Sequence, residues 1–252
     1  MTVRCRTLSF MNETDKQMIL SKAQQWFLDT IAENHIVNTR KLVDPGEFNI
    51  NPFLATYLAN FLTGNSSPES IAKALVYPRV LGSSITTSFG TNVQKFTSEV
   101  LSSFGSTTPG IDIEFTDQVD GHKKYCQLKA GPNTINKDDV ESIHGHFGAI
   151  QRLSRTNNLR IPSDDLIVGV LYGEHSDLSG HYLRLENDYD HPVIVGNDFW
   201  HCLTGDDTFY HDLIAAIVQV AEKADGKRVI EDTIQALAAT DRIIQLSALS
   251  QR

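Results

Sequence analysis

The stretch "DLIVGVLYG", residues 165–173, most constrains the fold. Such a near-continuous apolar run suits a strand covered on both faces. A strand of that kind needs helices packed on either side of its sheet. The rest of the chain supplies them. Residues 13–38 place Met18, Ile19, Ala23, Trp26, Phe27, Thr30 and Ile31 at helical spacing. Asn51 and Ser67 each cap a helix that begins at a proline, "PFLATYLANFLTG" and "PESIAKALVYP". The first stops at Gly64, and the second is expected to end or bend before Pro78. A helix is expected from about Thr91 to Phe104, and another over "KDDVESIHGHFGAIQRLSR". "HYLRLEN" and "HPVIVG" read as short strands. "TFYHDLIAAIVQVAEKA" and "KRVIEDTIQALAATDRIIQLSAL" read as C-terminal helices. The expectation is an α/β fold, with a mixed central β-sheet flanked by helices and with helical N- and C-terminal additions. One domain is expected over 1–252: a helical part at 1–65, a core at 80–200 and C-terminal helices at 206–252.

Composition narrows the class. Hydrophobic residues make up 40% and charged residues 21%, as in ordinary globular proteins. No N-terminal stretch resembles a signal peptide, and "LIAAIVQVA" is too short to span a bilayer. A soluble, cytoplasmic protein is expected. Cys5, Cys126 and Cys202 have neither disulfide nor zinc spacing. The net charge of −9 argues against a general nucleic-acid coat but leaves room for a local basic cleft.

Function is concentrated in "GIDIEFTDQVDGHKKYCQLKAG", residues 110–131. Side chains alternate faces along a strand. Ile111, Ile113 and Phe115 share one face of the first strand, with Asp112 and Glu114 on the other. In the second strand Cys126, Leu128 and Ala130 oppose Tyr125, Gln127 and Lys129. Asp120 and Gly121 supply the turn. With both apolar faces inward, two acids, an amide and a lysine converge. Asp112, the Gln127 side-chain oxygen and a carbonyl such as that of Leu128 offer oxygen ligands to magnesium. Lys129 beside them suits water orientation or charge stabilisation in phosphodiester hydrolysis. The same alternation also describes an ordinary half-exposed strand with a Lys–Asp cross-strand pair.

This hairpin resembles the core motif of the PD-(D/E)XK nuclease superfamily, with Asp112 as the motif aspartate and Lys129 as the motif lysine. Two departures stand out. Pro109 lies three residues before Asp112, and Gln127 stands where Asp or Glu is usual. "QLKAGPNTIN", "INPF", "YPRVLG", "LIVGVLYGE" and "GNDFW" extend the likeness in order along residues 49–224. They are similar to type II restriction endonucleases cutting RGGNCCY- or GGNCC-type sites. The resemblance implies a homodimeric, Mg2+-dependent enzyme that hydrolyses double-stranded DNA at a short palindrome and leaves 5′ phosphates. It also implies a cognate DNA methyltransferase in the host that is not a physical partner. Other readings are a repair nuclease of the same fold, or a DNA- or protein-binding module whose active site is lost.

Further candidates surround the motif. Glu99, on the helix before it, is one source of the missing acid, and Glu114 is the rival, about 6.5 Å along the strand from Asp112. Asn133, Thr134, Asn136 and Lys137 form a loop suited to DNA contact, although Asn136 equally suits an N-cap. Arg152, Arg155, Arg160, Arg79 and Lys95 are candidates for a basic patch. The hydroxyls of Ser83, Ser84, Thr86, Thr87 and Ser88 suit capping or phosphate contact. His144 and His146, two apart on a helix, point away from each other and read as solvent-facing or packing residues. Trp26 and Trp200 read as core. The N-terminal helix and the last helix from Lys227 suit packing on a second subunit or on their own domain.

Overall fold

A computed structural model describes residues 11–158 and 161–249. Cys5 and Arg160 lie outside them, as do the side chains of Ser83 and Ser84. The described chain begins with α1 (Glu13–Trp26), a π-helical stretch (Phe27–Ala32) and α2 (Glu33–Lys41). Next come α3 (Pro52–Thr63), α4 (Pro68–Val80), α5 (Ser83–Thr91) and α6 (Val93–Glu99). The hairpin β1 (Ile113–Thr116) and β2 (Lys123–Lys129) follows, then α7 (Lys137–Thr156), β3 (Leu166–Val170) and α8 (Gly180–Tyr189). β4 (Val193–Val195), α9 (Asn197–Thr204), α10 (Phe209–Lys223), α11 (Gly226–Ala238) and α12 (Asp241–Leu249) complete it. None of the described helices is long and apolar enough to cross a membrane.

The chain divides into two compact units. One comprises residues 1–26 and 90–217, the other residues 27–89 and 218–252. In the first, a mixed sheet has the order β1-β2-β3-β4. β1 runs antiparallel to β2, while β2, β3 and β4 are parallel. Parallel neighbours need a crossover, and α7 and α8 provide the two. Val140, Ile143 and Phe147 of α7 pack with Tyr182 and Leu185 of α8 against Leu166, Val168 and Val170. On the other face, Phe115 meets Phe199 of α9 edge-on, with 6.4 Å between ring centroids. Every residue of β3 is buried, as its apolar run requires. Gly169 explains the one gap in that run. A Cβ there would lie 2.6 Å from the Phe199 ring and 2.8 Å from Cys126 Sγ. Trp26 and Trp200 are both core residues.

The second unit is helical. Its core joins Ala55 and Ala59 of α3, Ile71 and Val76 of α4, Leu237 of α11 and Leu246 of α12. The small buried residues of α3 leave its large ones outside. Phe53, Leu54, Tyr57, Leu58, Phe61 and Leu62 are all exposed, Phe53 by 86% and Phe61 by 79%, and α3 has no charged residue.

Several expectations need correction. α4 runs through Pro78 to Val80, so of the two expectations, an end or a bend before Pro78, the end is excluded. Proline removes one N–H, and near a helix end that costs a single ladder bond; Leu81 N still donates to Tyr77 O at 2.8 Å. The helix expected over 91–104 starts earlier, at Ser83, breaks at Asn92 and closes at Glu99, with a 3-10 turn at Ser102–Phe104. "HYLRLEN" is helix α8 and not a strand, because Tyr182 and Leu185, three apart, are the buried pair. The last expected helix is two, α11 and α12, parted at Ala239–Thr240. Helix α9 had no counterpart in the sequence reading.

Candidate active site

The expected antiparallel hairpin forms. Ile113 pairs with Cys126, and Asp112 N donates to Cys126 O at 3.0 Å, extending the ladder past β1. Ile111, Ile113, Phe115, Cys126, Leu128 and Ala130 are buried, so the polar alternates face the other way. There they meet a cavity of about 610 Å3. Asp112, Gln127, Leu128 and Lys129 line it, with Thr134 from the following loop and Ser142 and His146 from α7. Val93, Gln94 and Thr97 of α6 form another wall.

Asp112 is the one carboxylate among these residues. Its Oδ2 accepts from Leu128 N at 2.7 Å, and its Oδ1 has no hydrogen bond among the described residues. Burial pushes its carboxyl above the ordinary aspartate range, against the opposing pull of the Leu128 amide, Lys129 and His146. Lys129 Nζ lies 3.8 Å from Asp139 Oδ1, a loose pairing that leaves the ammonium at the cavity wall. Gln127, only 7% exposed, places Nε2 3.1 Å from His146 Nδ1.

The two rivals for the extra acid sit elsewhere. Glu99 is exposed and 3.7 Å from Lys95 on its own helix. The cavity face of α6 carries residues 93, 94 and 97, and position 99 turns away from it. Glu114 shares the face of Asp112 but is held by other groups. Ser106 and Thr108 hydroxyls donate to it at 2.6 and 2.7 Å, and Lys123 Nζ stands 2.6 Å away.

In the loop after β2, the Thr134 hydroxyl donates to Gly131 O at 2.8 Å and lies 3.1 Å from the Tyr182 hydroxyl. Asn136 caps α7. Its Oδ1 accepts from the amides of Asp138 and Asp139, and Asp139 Oδ2 accepts from Asn136 N in return. Asn133, Lys137, Arg152 and Arg155 are exposed. Arg79 is also exposed, on α4 of the helical unit.

His146, expected only as a solvent-facing or packing residue, lines the cavity. The two histidines do diverge: His144 stacks on Tyr189 at 4.1 Å and meets His191 at 3.1 Å, whereas His146 enters the cavity. A signal was present. Once Asn136 fixes the start of α7, Asp139, Ser142 and His146 fall at i, i+3 and i+7, one polar stripe flanking the buried Ile143 and Phe147.

No group of three or more His, Cys, Asp or Glu among the described residues is arranged to hold a metal ion. The lining offers instead the Asp112 carboxylate, the Gln127 side-chain amide and the Leu128 peptide. All carry hard oxygen donors, the chemistry that magnesium or calcium takes, with waters and substrate phosphate oxygens completing the shell. The residues present therefore fit a hard divalent cation held by few protein ligands.

No curated protein matches the chain. The family model of the type II restriction endonuclease EcoO109I matches residues 51–225, more than two thirds of the sequence. That span takes in the whole hairpin, the cavity and all four strands. The chain thus belongs to the EcoO109I family of type II restriction endonucleases, enzymes that hydrolyse DNA at specific sites.

Proposed function

We propose that the protein is a magnesium-dependent homodimer cutting double-stranded DNA at a short palindrome of the GG/CC type. The observation that carries this reading is the half-buried Asp112, which lines one cavity with Gln127 and Lys129 while its Oδ1 has no hydrogen bond among the described residues. In this proposal Asp112, the Gln127 amide oxygen and the Leu128 carbonyl hold the cation. Bound there, it would neutralise charge on the scissile phosphate. Lys129 orients the attacking water, its ammonium only loosely engaged by Asp139. Neither Glu99 nor Glu114 is required, since Glu99 turns away from the cavity face of α6 and Glu114 is held by Ser106, Thr108 and Lys123. In this proposal Asn133, Thr134, Lys137 and Arg152 meet the DNA backbone from the loop and α7, and Arg79, exposed on the helical unit, is a separate candidate for phosphate contact. Asn136 serves the loop chiefly as a cap.

A two-fold protein suits a palindrome, because each subunit then addresses one strand. The uncharged apolar face of α3 supports self-association: monomers rarely expose an apolar patch of this extent. We further propose that residues 1–252 act as one restriction-endonuclease-like domain in the cytoplasm.

Digestion of a fully sequenced phage DNA tests the reading. Discrete fragments that need magnesium and end at one palindrome are expected. A metal-dependent smear would move the protein to a non-specific or repair nuclease, and intact DNA under magnesium and manganese would defeat the catalytic reading.

A further inference from the structure

Gln127 occupies the position where the superfamily pattern carries a carboxylate. A carboxylate offers oxygen from either side. An amide offers oxygen from one side and N–H donors from the other, and only the oxygen suits a cation. An amide at this position therefore needs its orientation fixed. The structure contains a group that can fix it. Nε2 of Gln127 lies 3.1 Å from Nδ1 of His146, leaving Oε1 as the end available to the cavity. The imidazole is backed on one side in turn. A Cβ on residue 110 would lie 2.5 Å from its Cγ, so the backbone of Gly110, at φ +79°, runs against the ring.

We infer that His146 is a positioning residue, which accepts a hydrogen bond from the Gln127 amide and so turns the amide oxygen toward the metal position. The inference rests on the nuclease reading above and concerns only how Gln127 is presented. In that arrangement Nδ1 is the unprotonated ring nitrogen. Outer-shell partners of this kind commonly change metal affinity by about 10-fold or more.

The test uses the full chain and manganese as the probe. Binding of Mn2+ is followed by its electron paramagnetic resonance signal, beside the magnesium dependence of phage DNA cleavage. His146→Ala is expected to weaken Mn2+ binding about 10-fold and to raise the half-saturating magnesium by the same factor. The cleavage rate at saturating magnesium is expected to stay within about 3-fold, because the reacting groups are untouched. His146→Asn keeps an acceptor near the Nδ1 position and is expected to recover most of the affinity. Gln127→Glu needs no orienting partner, so adding His146→Ala to it should change Mn2+ affinity by less than about 2-fold. Unchanged Mn2+ affinity in His146→Ala, with the parent protein cleaving DNA, would overturn the positioning role alone. So would an equal loss in the Gln127→Glu background. A parent protein without metal-dependent cleavage would overturn the nuclease chemistry beneath it, and the inference with it.

Discussion

The amide of Leu128 donates to Oδ2 of Asp112 at 2.7 Å, so the backbone of one hairpin strand aims the carboxylate of the other. The bond occupies one oxygen and leaves its twin for chemistry. It also offsets only part of the cost of burying the charge, since burial still holds the carboxyl above the ordinary aspartate range.

Asp112→Asn should therefore separate activity from stability. Cleavage is expected to fall by about 10^3-fold or more. Between the ordinary aspartate pKa and the raised one, the folded chain keeps a proton that the unfolded chain has released. Stability contributed by this group thus falls as pH rises through that window. The asparagine variant lacks this loss and should melt higher than the parent at pH 7, with the gap closing below pH 4. A variant melting lower at pH 7 would refute the account.

Lys129→Ala should retain DNA binding in gel shifts with calcium while losing cleavage by about 10^2-fold or more. Full cleavage would remove the lysine from the chemistry.

The two readings of Asn136 give opposite results. As a cap, it should tolerate Asn136→Asp with stability and DNA affinity nearly intact, whereas Asn136→Ala should cost about 1 kcal/mol. As a phosphate contact, it should lose DNA affinity on gaining a negative charge. Chemical denaturation and binding isotherms on both variants decide, and the capping box favours the first outcome.

His191 sets an acid limit. Burial, with His144 beside it and only Asp190 opposing, lowers its pKa to about 4. The unfolded chain binds the proton first, so stability is complete above about pH 6.5 and is lost as pH falls toward 4. The loss should reach about 1–3 kcal/mol. Urea melts at pH 7 and 4.5 should show it, and His191→Leu should flatten the slope.

If α3 forms the dimer contact, Phe61→Glu should convert the protein to monomers by sedimentation while leaving its circular dichroism unchanged. An unchanged mass would place the contact elsewhere, because Phe61 is exposed and contributes little to the core of its own unit.

The hairpin was legible because its period of two is unambiguous: six buried apolar residues alternate with polar ones over both strands. The caps at Asn51 and Ser67 were equally plain, because side-chain oxygens there accept from helix amides as their chemistry dictates. Short mixed runs were not. In "HYLRLEN", Leu183 and Leu185 fit a strand while Tyr182 and Leu185 fit a helix, and only the packing of Tyr182 against α7 and β3 decides between them. The site was half visible. Strand neighbours Asp112, Gln127 and Lys129 could be grouped from local spacing, but His146 and Gln94 come from helices whose approach to the sheet is set by tertiary packing. Glu99 and Glu114 illustrate the converse: each has the right chemistry, but Glu99 faces away from the cavity on α6 and Glu114 is held by Ser106, Thr108 and Lys123.

A cavity wall with one carboxylate, and an ammonium close by, carries little negative charge with which to retain a dication. A DNA phosphate brought beside it would add that charge. Linkage then works in both directions: DNA should tighten the cation, and the cation should tighten DNA by the same factor. The resting protein would stay largely metal-free at low magnesium and become loaded on its substrate, a thermodynamic safeguard that a neutral amide at Gln127 would provide if it holds the cation. Calcium affinity with and without DNA, set against DNA affinity with and without calcium, should give one ratio; two different ratios would dissolve the argument.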